Sequence, residues 1–146
     1  MAELMIRAAA HNDLDAIHDI ECESFPSPWR REFFESELSA PGRFSLVATS
    51  EGTVIGYVFA MWIFDEMHVN KIAVTGGERR KGIAQALMDR CFEFAREHGV
   101  EMISLEVRES NQTAQAFYKQ LEFESAYVRP KYYPDNEAAV VMTRRI

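Results

Sequence analysis

Val74-Thr-Gly-Gly-Glu-Arg-Arg-Lys-Gly-Ile-Ala84 runs without a break into Gln85-Ala-Leu-Met-Asp-Arg-Cys-Phe-Glu-Phe-Ala-Arg96, and it reads as a strand end, a glycine-rich cationic loop and the start of a long helix. Arg79, Arg80 and Lys81 sit among Gly76, Gly77 and Gly82, where backbone N–H groups can turn toward a common point with no Cβ in the way. A helix opening directly behind such a loop adds unsatisfied N–H groups and the positive end of its dipole. The combination is an anion cradle, suited to a phosphate or pyrophosphate held without a metal. A Walker-type loop is excluded, because Ile83-Ala84 follows Gly82 where the lysine and the magnesium-binding hydroxyl belong. The dinucleotide fingerprint Gly-x-Gly-x-x-Gly is also missing. What remains is Arg79-x-x-Gly82-x-Ala84, a pattern short enough that a solvated basic turn before a surface helix is the competing reading.

Upstream, Leu4 to Arg7 is a short strand, and Asn12 is placed to cap a helix running to about Glu23 with Leu14, Ile17 and Ile20 on its apolar face. Two prolines break the chain at Ser24-Phe-Pro-Ser-Pro-Trp29, a second short helix covers Arg30 to about Ser39, and Pro41-Gly42 ends it. Phe44–Thr49 and Val54–Trp62 form a hairpin about a polar turn containing Gly52. Asp65 to Val74 is a further strand that delivers the chain into the cationic loop. Plain alternation puts Met67, Val69 and Lys71 on one side of it and His68, Asn70 and Ile72 on the other.

Downstream, the helix from about Lys81 to His98 ends at Gly99, and Glu101–Val107 is a strand parallel to the one before it, since a whole helix crosses between them. The cationic loop therefore stands at the carboxyl end of the first strand of a right-handed strand–helix–strand unit, where open α/β sheets bind ligands. A helix over Asn111–Leu121 and a closing hairpin of Ser125–Tyr132 with Ala138–Thr143 complete the pattern. The expected fold is one α/β (α+β) domain over residues 1–146: a mixed, mostly antiparallel sheet with one central parallel pair, flanked by helices.

The 146 residues suffice for a single core, and a net charge of −7 argues against general nucleic-acid binding. No stretch reads as a secretory leader or a bilayer span, so a cytoplasmic protein is expected. Cys22 and Cys91 fall in helical patterns and read as reduced core residues. His11, His18, His68 and His98 lack ligand spacing, so no metal site is expected.

The loop pattern resembles that of the GNAT N-acetyltransferases. Leu105-Glu-Val-Arg-Glu-Ser-Asn111, Ala116-Phe-Tyr-Lys-Gln-Leu-Glu-Phe123, Lys131-Tyr-Tyr-Pro134 and Val141-Met142 then resemble the bacterial ribosomal-protein-alanine N-acetyltransferases (RimI type), with a fainter echo at Phe25-Pro26 and Trp29. The resemblance covers most of the chain from Asp65 to Met142. It implies acetyl-CoA as acetyl donor, its pyrophosphate on Arg79, Arg80, Lys81, Gly82, Ile83, Ala84 and Gln85, its pantetheine on the backbone of Ile72, Ala73 and Val74, and Asn111 near it. It implies Glu106 as proton acceptor, Tyr118 as donor to the departing thiolate, and Phe25, Pro26, Tyr132 and Tyr133 around the acceptor.

Taken as residues alone, Glu106 near the end of an apolar strand is either a base favoured by partial desolvation or a carboxylate paired with Arg108 or another cation. Tyr118 and Asn111 have bland readings as a packing tyrosine and a helix cap, and the four acceptor-side residues as hairpin-end packing. The implied reaction is direct acetyl transfer in a ternary complex to a protein N-terminal α-amine, most specifically the N-terminal alanine of small-subunit ribosomal protein eighteen, a basic N-terminus. The alternatives are a lysine or small-amine acceptor, and a non-catalytic acetyl-CoA-binding module. Glu122 stands where the family's glycine is usual, so backbone strain is expected if φ is positive there, and the Pro134 loop is short.

Overall fold

In the computed structural model, which describes residues 3–79 and 82–146, seven strands form a single sheet in the order β1-β2-β3-β4-β5-β7-β6. The strands are β1 (Leu4–Ala8), β2 (Arg43–Ser50), β3 (Thr53–Ile63), β4 (Glu66–Val74), β5 (Met102–Arg108), β6 (Glu124–Arg129) and β7 (Ala139–Arg145). The helices are α1 (Leu14–Ser24), α2 (Arg31–Ser39), α3 (Ile83–Glu97) and α4 (Gln112–Gln120). Every pairing is antiparallel except β4 with β5. The mixed sheet with one central parallel pair is as the sequence pattern predicts. No described helix is long and apolar enough to cross a membrane.

Two apolar layers sandwich β2, β3 and β4. Leu46, Val58, Val69, Leu87, Met88, Ile103 and Met142 fill the side under α3 and α4, while Ile17, Phe34, Val47, Tyr57, Phe59 and Ala73 fill the side under α1 and α2. Residues 57–60 of β3 are buried on both faces, as expected of an interior strand. On β5 only Ile103, Leu105 and Val107 are buried; Met102, Ser104, Glu106 and Arg108 point to the other face, where α1 packs chiefly on β3 and β4 and α2 on β2. That uncovered face carries the site.

Three local features depart from the expectations. Asn12 does not cap α1: a 3-10 turn (His11–Asp13) precedes the helix, and Asp13 instead takes Ala10 N–H (2.8 Å) and a two-bond contact from Arg7 (2.7 and 2.8 Å). Cys91 is buried as read, but Cys22 is exposed beside His18 (Sγ to Nε2 3.6 Å), because it lies on the outer face of α1. The third departure is a β-bulge in β4. Phe59 pairs with Lys71 and Ala60 with Val69, so Asn70 is the extra residue. Beyond the bulge the alternation changes phase: Lys71 and Ala73 face α1, and Ile72 and Val74 face α3. Glu122 does adopt a positive φ of 68°, the strained backbone expected where glycine is usual.

Candidate active site

β4 and β5 pair only through Glu66–Met102, Met67–Ile103 and His68–Ser104. Beyond them β4 follows β3 as far as Val74 and β5 follows β7 as far as Arg108, so the two strands part and leave a V-shaped opening. The side chains of Ile72, Ala73 and Val74 are core or near-core, which leaves their unpaired backbone edge facing the opening. At its upper end the chain turns through Gly76–Glu78 and enters α3 at Ile83. Gly82 holds a left-handed φ of 80°, no side chain caps the helix, and the first turn has no acid. The first helical bond is Ala86 N–H to Gly82 O (3.0 Å), and by helix geometry the N–H groups ahead of it have no acceptor within the helix. This 15-residue helix thus presents free N–H groups at its N-terminus, as an anion would need, with Ala84 and Gln85 in its first turn.

Arg79 braces that loop, donating to Val74 O (3.0 Å) and Ser24 Oγ (3.3 Å). Glu23 grips it from α1, accepting from Gly76 N–H (2.7 Å) and Thr75 O–H (3.1 Å), and these bonds hold its carboxyl below the usual range. Arg80 and Lys81 lie outside the described residues.

Glu106 projects onto the uncovered face with 12% of its side chain exposed. Its partners are His68 and Arg129 (3.5 Å), so the neighbouring cation the sequence allows for is Arg129 and not Arg108. The sequence spacing marks His68 only as a poor metal ligand; the signal that points to it is its position on the strand parallel to that of Glu106. Its protonation follows from a chain of donors. Arg43 Nε contacts both oxygens of Glu37 (3.0 Å each), Glu37 accepts from Asn70 Nδ2 (3.4 Å), and Asn70 Oδ1 is thereby left to accept from His68 Nδ1–H (2.6 Å). His68 Nε2 then faces Glu106 Oε2, and two bare acceptors do not attract, so one proton is shared between them. A groove of about 410 Å³, lined by His68, Ser104, Glu106, Arg129 and Thr143, opens the pair to solvent. A depression of about 490 Å³ lies elsewhere, against Asp89, Glu122 and Arg144, and touches none of the candidate residues.

Burial pushes the His68 imidazole down, but its bonds to Glu106 and then Asn70 outweigh this, and its pKa ends above the ordinary value of about 6.5. A raised folded pKa stabilises the native state fully below the unfolded value, and that contribution is lost as pH rises through the folded value. Urea midpoints measured from pH 6 to 9 are therefore expected to fall more steeply in the wild type than in His68→Gln; parallel slopes would contradict the assignment.

Tyr118 in α4 is buried between Phe117 and Phe123, and burial raises its pKa, so the phenol stays protonated across the physiological range. Its hydroxyl has no hydrogen-bond partner among the described residues, where no side-chain polar atom is sealed from solvent without one, so it borders open space. Asn111 caps α4, its Oδ1 accepting from Ala114 N–H (3.1 Å).

In the β6–β7 loop, Tyr132 and Tyr133 pack edge to face (centroids 5.0 Å), each covered by a guanidinium: Arg129 over Tyr132 (4.7 Å) and Arg108 over Tyr133 (4.1 Å). Asp135 and Glu137 both engage Arg108 at 2.8 Å, tying the β6–β7 loop to the end of β5. Phe25 is half-buried and Pro26 exposed in the loop after α1. That loop is anchored by Glu21, a fully buried carboxylate that accepts from Tyr57 O–H, Trp29 N–H (2.9 Å) and the Lys71 ammonium (2.9 Å). The Phe25 ring centroid lies 3.8 Å from the same ammonium. Neither Glu21 nor Lys71 was singled out in the sequence, because a charged residue in an amphipathic pattern reads as solvent-facing.

Comparison with known proteins agrees with this geometry. The chain is 31% identical over 133 residues to the [ribosomal protein bS18]-alanine N-acetyltransferase of Escherichia coli K12, covering 89% of each. It is 33% identical over 155 residues to an N-alpha-acetyltransferase of Saccharolobus solfataricus, covering 97% of this chain and 93% of that one. The crystal structure of the E. coli ribosomal-protein-S18-alanine N-acetyltransferase superposes with a TM-score of 0.91 at 30% identity, over 99% of this chain and 94% of that one. The profile of the acetyltransferase (GNAT) family matches residues 14–123, and with the splayed parallel pair and the loop ahead of α3, this shows that the chain belongs to that family.

Proposed function

We propose that the protein transfers the acetyl group of acetyl-CoA to a protein N-terminal α-amine, with the N-terminal alanine of a ribosomal protein such as bS18 as the favoured acceptor. The observation that carries this is Glu106, a carboxylate on the uncovered edge of the V that shares a proton with His68. Names borne by relatives support it, since they act on N-terminal amines. The residues present fit the donor. The α3 N-terminus with Arg79, Gly82, Ile83, Ala84 and Gln85 suits a pyrophosphate, joined in the proposal by Arg80 and Lys81, while the free backbone edge of Ile72–Val74 suits an amide-rich pantetheine arm.

When bound, acetyl-CoA supplies the activated thioester; the chain's own residues do the rest. A protein α-amine with a pKa of about 7.7–8.0 yields its proton to a modest base far more readily than lysine at about 10.4. Once the proton shared between Glu106 and His68 has left through the solvent groove, the pair takes the amine proton in its place. Tyr118, its acidity weakened by burial, serves as a hydrogen-bond donor to the leaving sulfur rather than as a full acid. Asn111 stands at the head of α4, near the donor. Phe25, Pro26, Tyr132 and Tyr133 flank the acceptor as aromatic and proline walls.

CoA release is expected with lysine-free peptides bearing a free N-terminal alanine and not with the same peptides N-formylated. Release only with lysine side chains or small amines would replace the acceptor assignment. Acetyl-CoA binding without release on any amine would leave a binding module.

A further inference from the structure

Lys71 is a cation where a β-strand near the middle of a sheet ordinarily carries an apolar or small residue. The bulge at Asn70 turns its side chain to the same face as His68 and Glu106. From there it reaches across to α1, with Nζ 2.9 Å from Glu21, 3.8 Å from the Phe25 ring centroid and 5.4 Å from that of Trp29. Only 16% of the side chain is exposed. The four-carbon stem and its ammonium therefore occupy the space beneath Phe25. The described open groove at the base runs past His68 and Glu106 and does not extend under this loop.

We propose that Lys71 is a specificity-determining residue: by filling the floor beneath Phe25 it leaves room there for only a small first side chain on the acceptor. The proposal rests on the reading of Phe25 and Pro26 as the acceptor wall and extends it to the class of N-terminus taken, namely alanine, serine or glycine rather than leucine or methionine. The floor is firm. Glu21 is fully buried and tied also to Tyr57 and the Trp29 N–H, so the ammonium cannot swing aside without orphaning a buried carboxylate. It also repels a cationic first side chain, a repulsion shared by Arg108 on the facing strand. Burial lowers the Lys71 pKa against the pull of Glu21, as befits an ammonium held out of water by packing.

The test measures kcat/KM on lysine-free peptides that differ only in their first residue: Ala, Ser, Leu, Met and Asp. The proteins compared are the wild type, Lys71→Arg, and the double variant Glu21→Gln/Lys71→Ser, which empties the floor without stranding a charge. Acetyl-CoA binding by calorimetry confirms that each is folded. The wild type is expected to favour Ala over Leu by at least about tenfold, within the range that a few methylenes of pocket volume provide. The double variant should bring that ratio to within about twofold, and Lys71→Arg should keep it or widen it. A uniform loss of activity would leave the ratio unmoved, so a merely structural role is distinguishable. The proposal is overturned if the wild type accepts Leu or Met as well as Ala, if Asp is preferred over Ala, or if the double variant binds acetyl-CoA yet keeps the wild-type ratio. Absence of transfer to every α-amine would overturn the acceptor reading and this proposal together, whereas α-amine transfer without a first-residue preference overturns this one alone.

Discussion

Glu106→Gln is expected to lower kcat on an N-terminal alanine peptide by about 10²–10⁴-fold, the span that positioned acid–base catalysis contributes, equivalent to roughly 3–5 kcal/mol of barrier. Acetyl-CoA affinity should stay within about twofold, because the donor's proposed contacts lie at the α3 N-terminus and on the backbone of β4, not at this side chain. The substitution conserves volume, and a carboxamide oxygen still accepts from His68, so folding is not at stake. Since His68 Nε2 and Glu106 Oε2 face each other across one proton, a rate profile alone does not say which is the base. The variants do. His68→Gln keeps the carboxylate and is expected to cost only about tenfold, whereas loss of the carboxylate removes the acceptor itself. Single-turnover transfer and calorimetry separate the two quantities. A Glu106→Gln enzyme within fivefold of wild type, or a His68→Gln enzyme that is the worse of the two, would move the role to His68.

How far this site could be read in advance depends on which interactions are local in the sequence. The cationic loop was legible because its glycines, its cations and the start of α3 are consecutive; Gly82 adopts the left-handed backbone such a loop needs. The strain at Glu122 was legible for the same reason, one residue in one turn. The parallel pairing of β4 with β5 followed from a connection too long for a hairpin, but the insertion of β7 between β5 and β6 is a long-range choice that no local pattern announces. Asn70 shows the limit most clearly. Nothing in Met67–Val74 marks a bulge, yet that one extra residue moves Lys71 from the α3 side to the α1 side and brings Asn70 against His68. Glu21 sits two residues from Glu23 on the same helix, one fully buried and the other exposed and bonded to the Gly76 turn. Their difference is made by the partners Tyr57, Trp29 and Lys71, which lie 36, 8 and 50 residues away in the chain.

That buried carboxylate sets the other large effect. Lys71→Met is expected to destabilise the protein by about 3–5 kcal/mol, the cost of breaking a buried pair from one side, or roughly 6–20 °C in Tm for a chain of this size. The loss does not measure an attraction between the two charges. Burial lowers the Lys71 pKa despite Glu21, so in this site desolvation of the ammonium outweighs what the carboxylate returns to it. What the single variant exposes is Glu21 itself, fully buried and left with only the neutral donors of Tyr57 and the Trp29 backbone. The second substitution decides between these accounts. In Glu21→Gln/Lys71→Met the amide oxygen still accepts from Trp29 N–H and no ion remains, so stability should return to within about 1.5 kcal/mol of wild type, as for other buried pairs replaced by neutral groups of similar volume. The two changes are then strongly non-additive in a double-mutant cycle followed by urea unfolding. A Lys71→Met protein as stable as the double variant would mean that Glu21 is at ease without its partner, and that the ammonium is not what holds the Phe25 loop against β4.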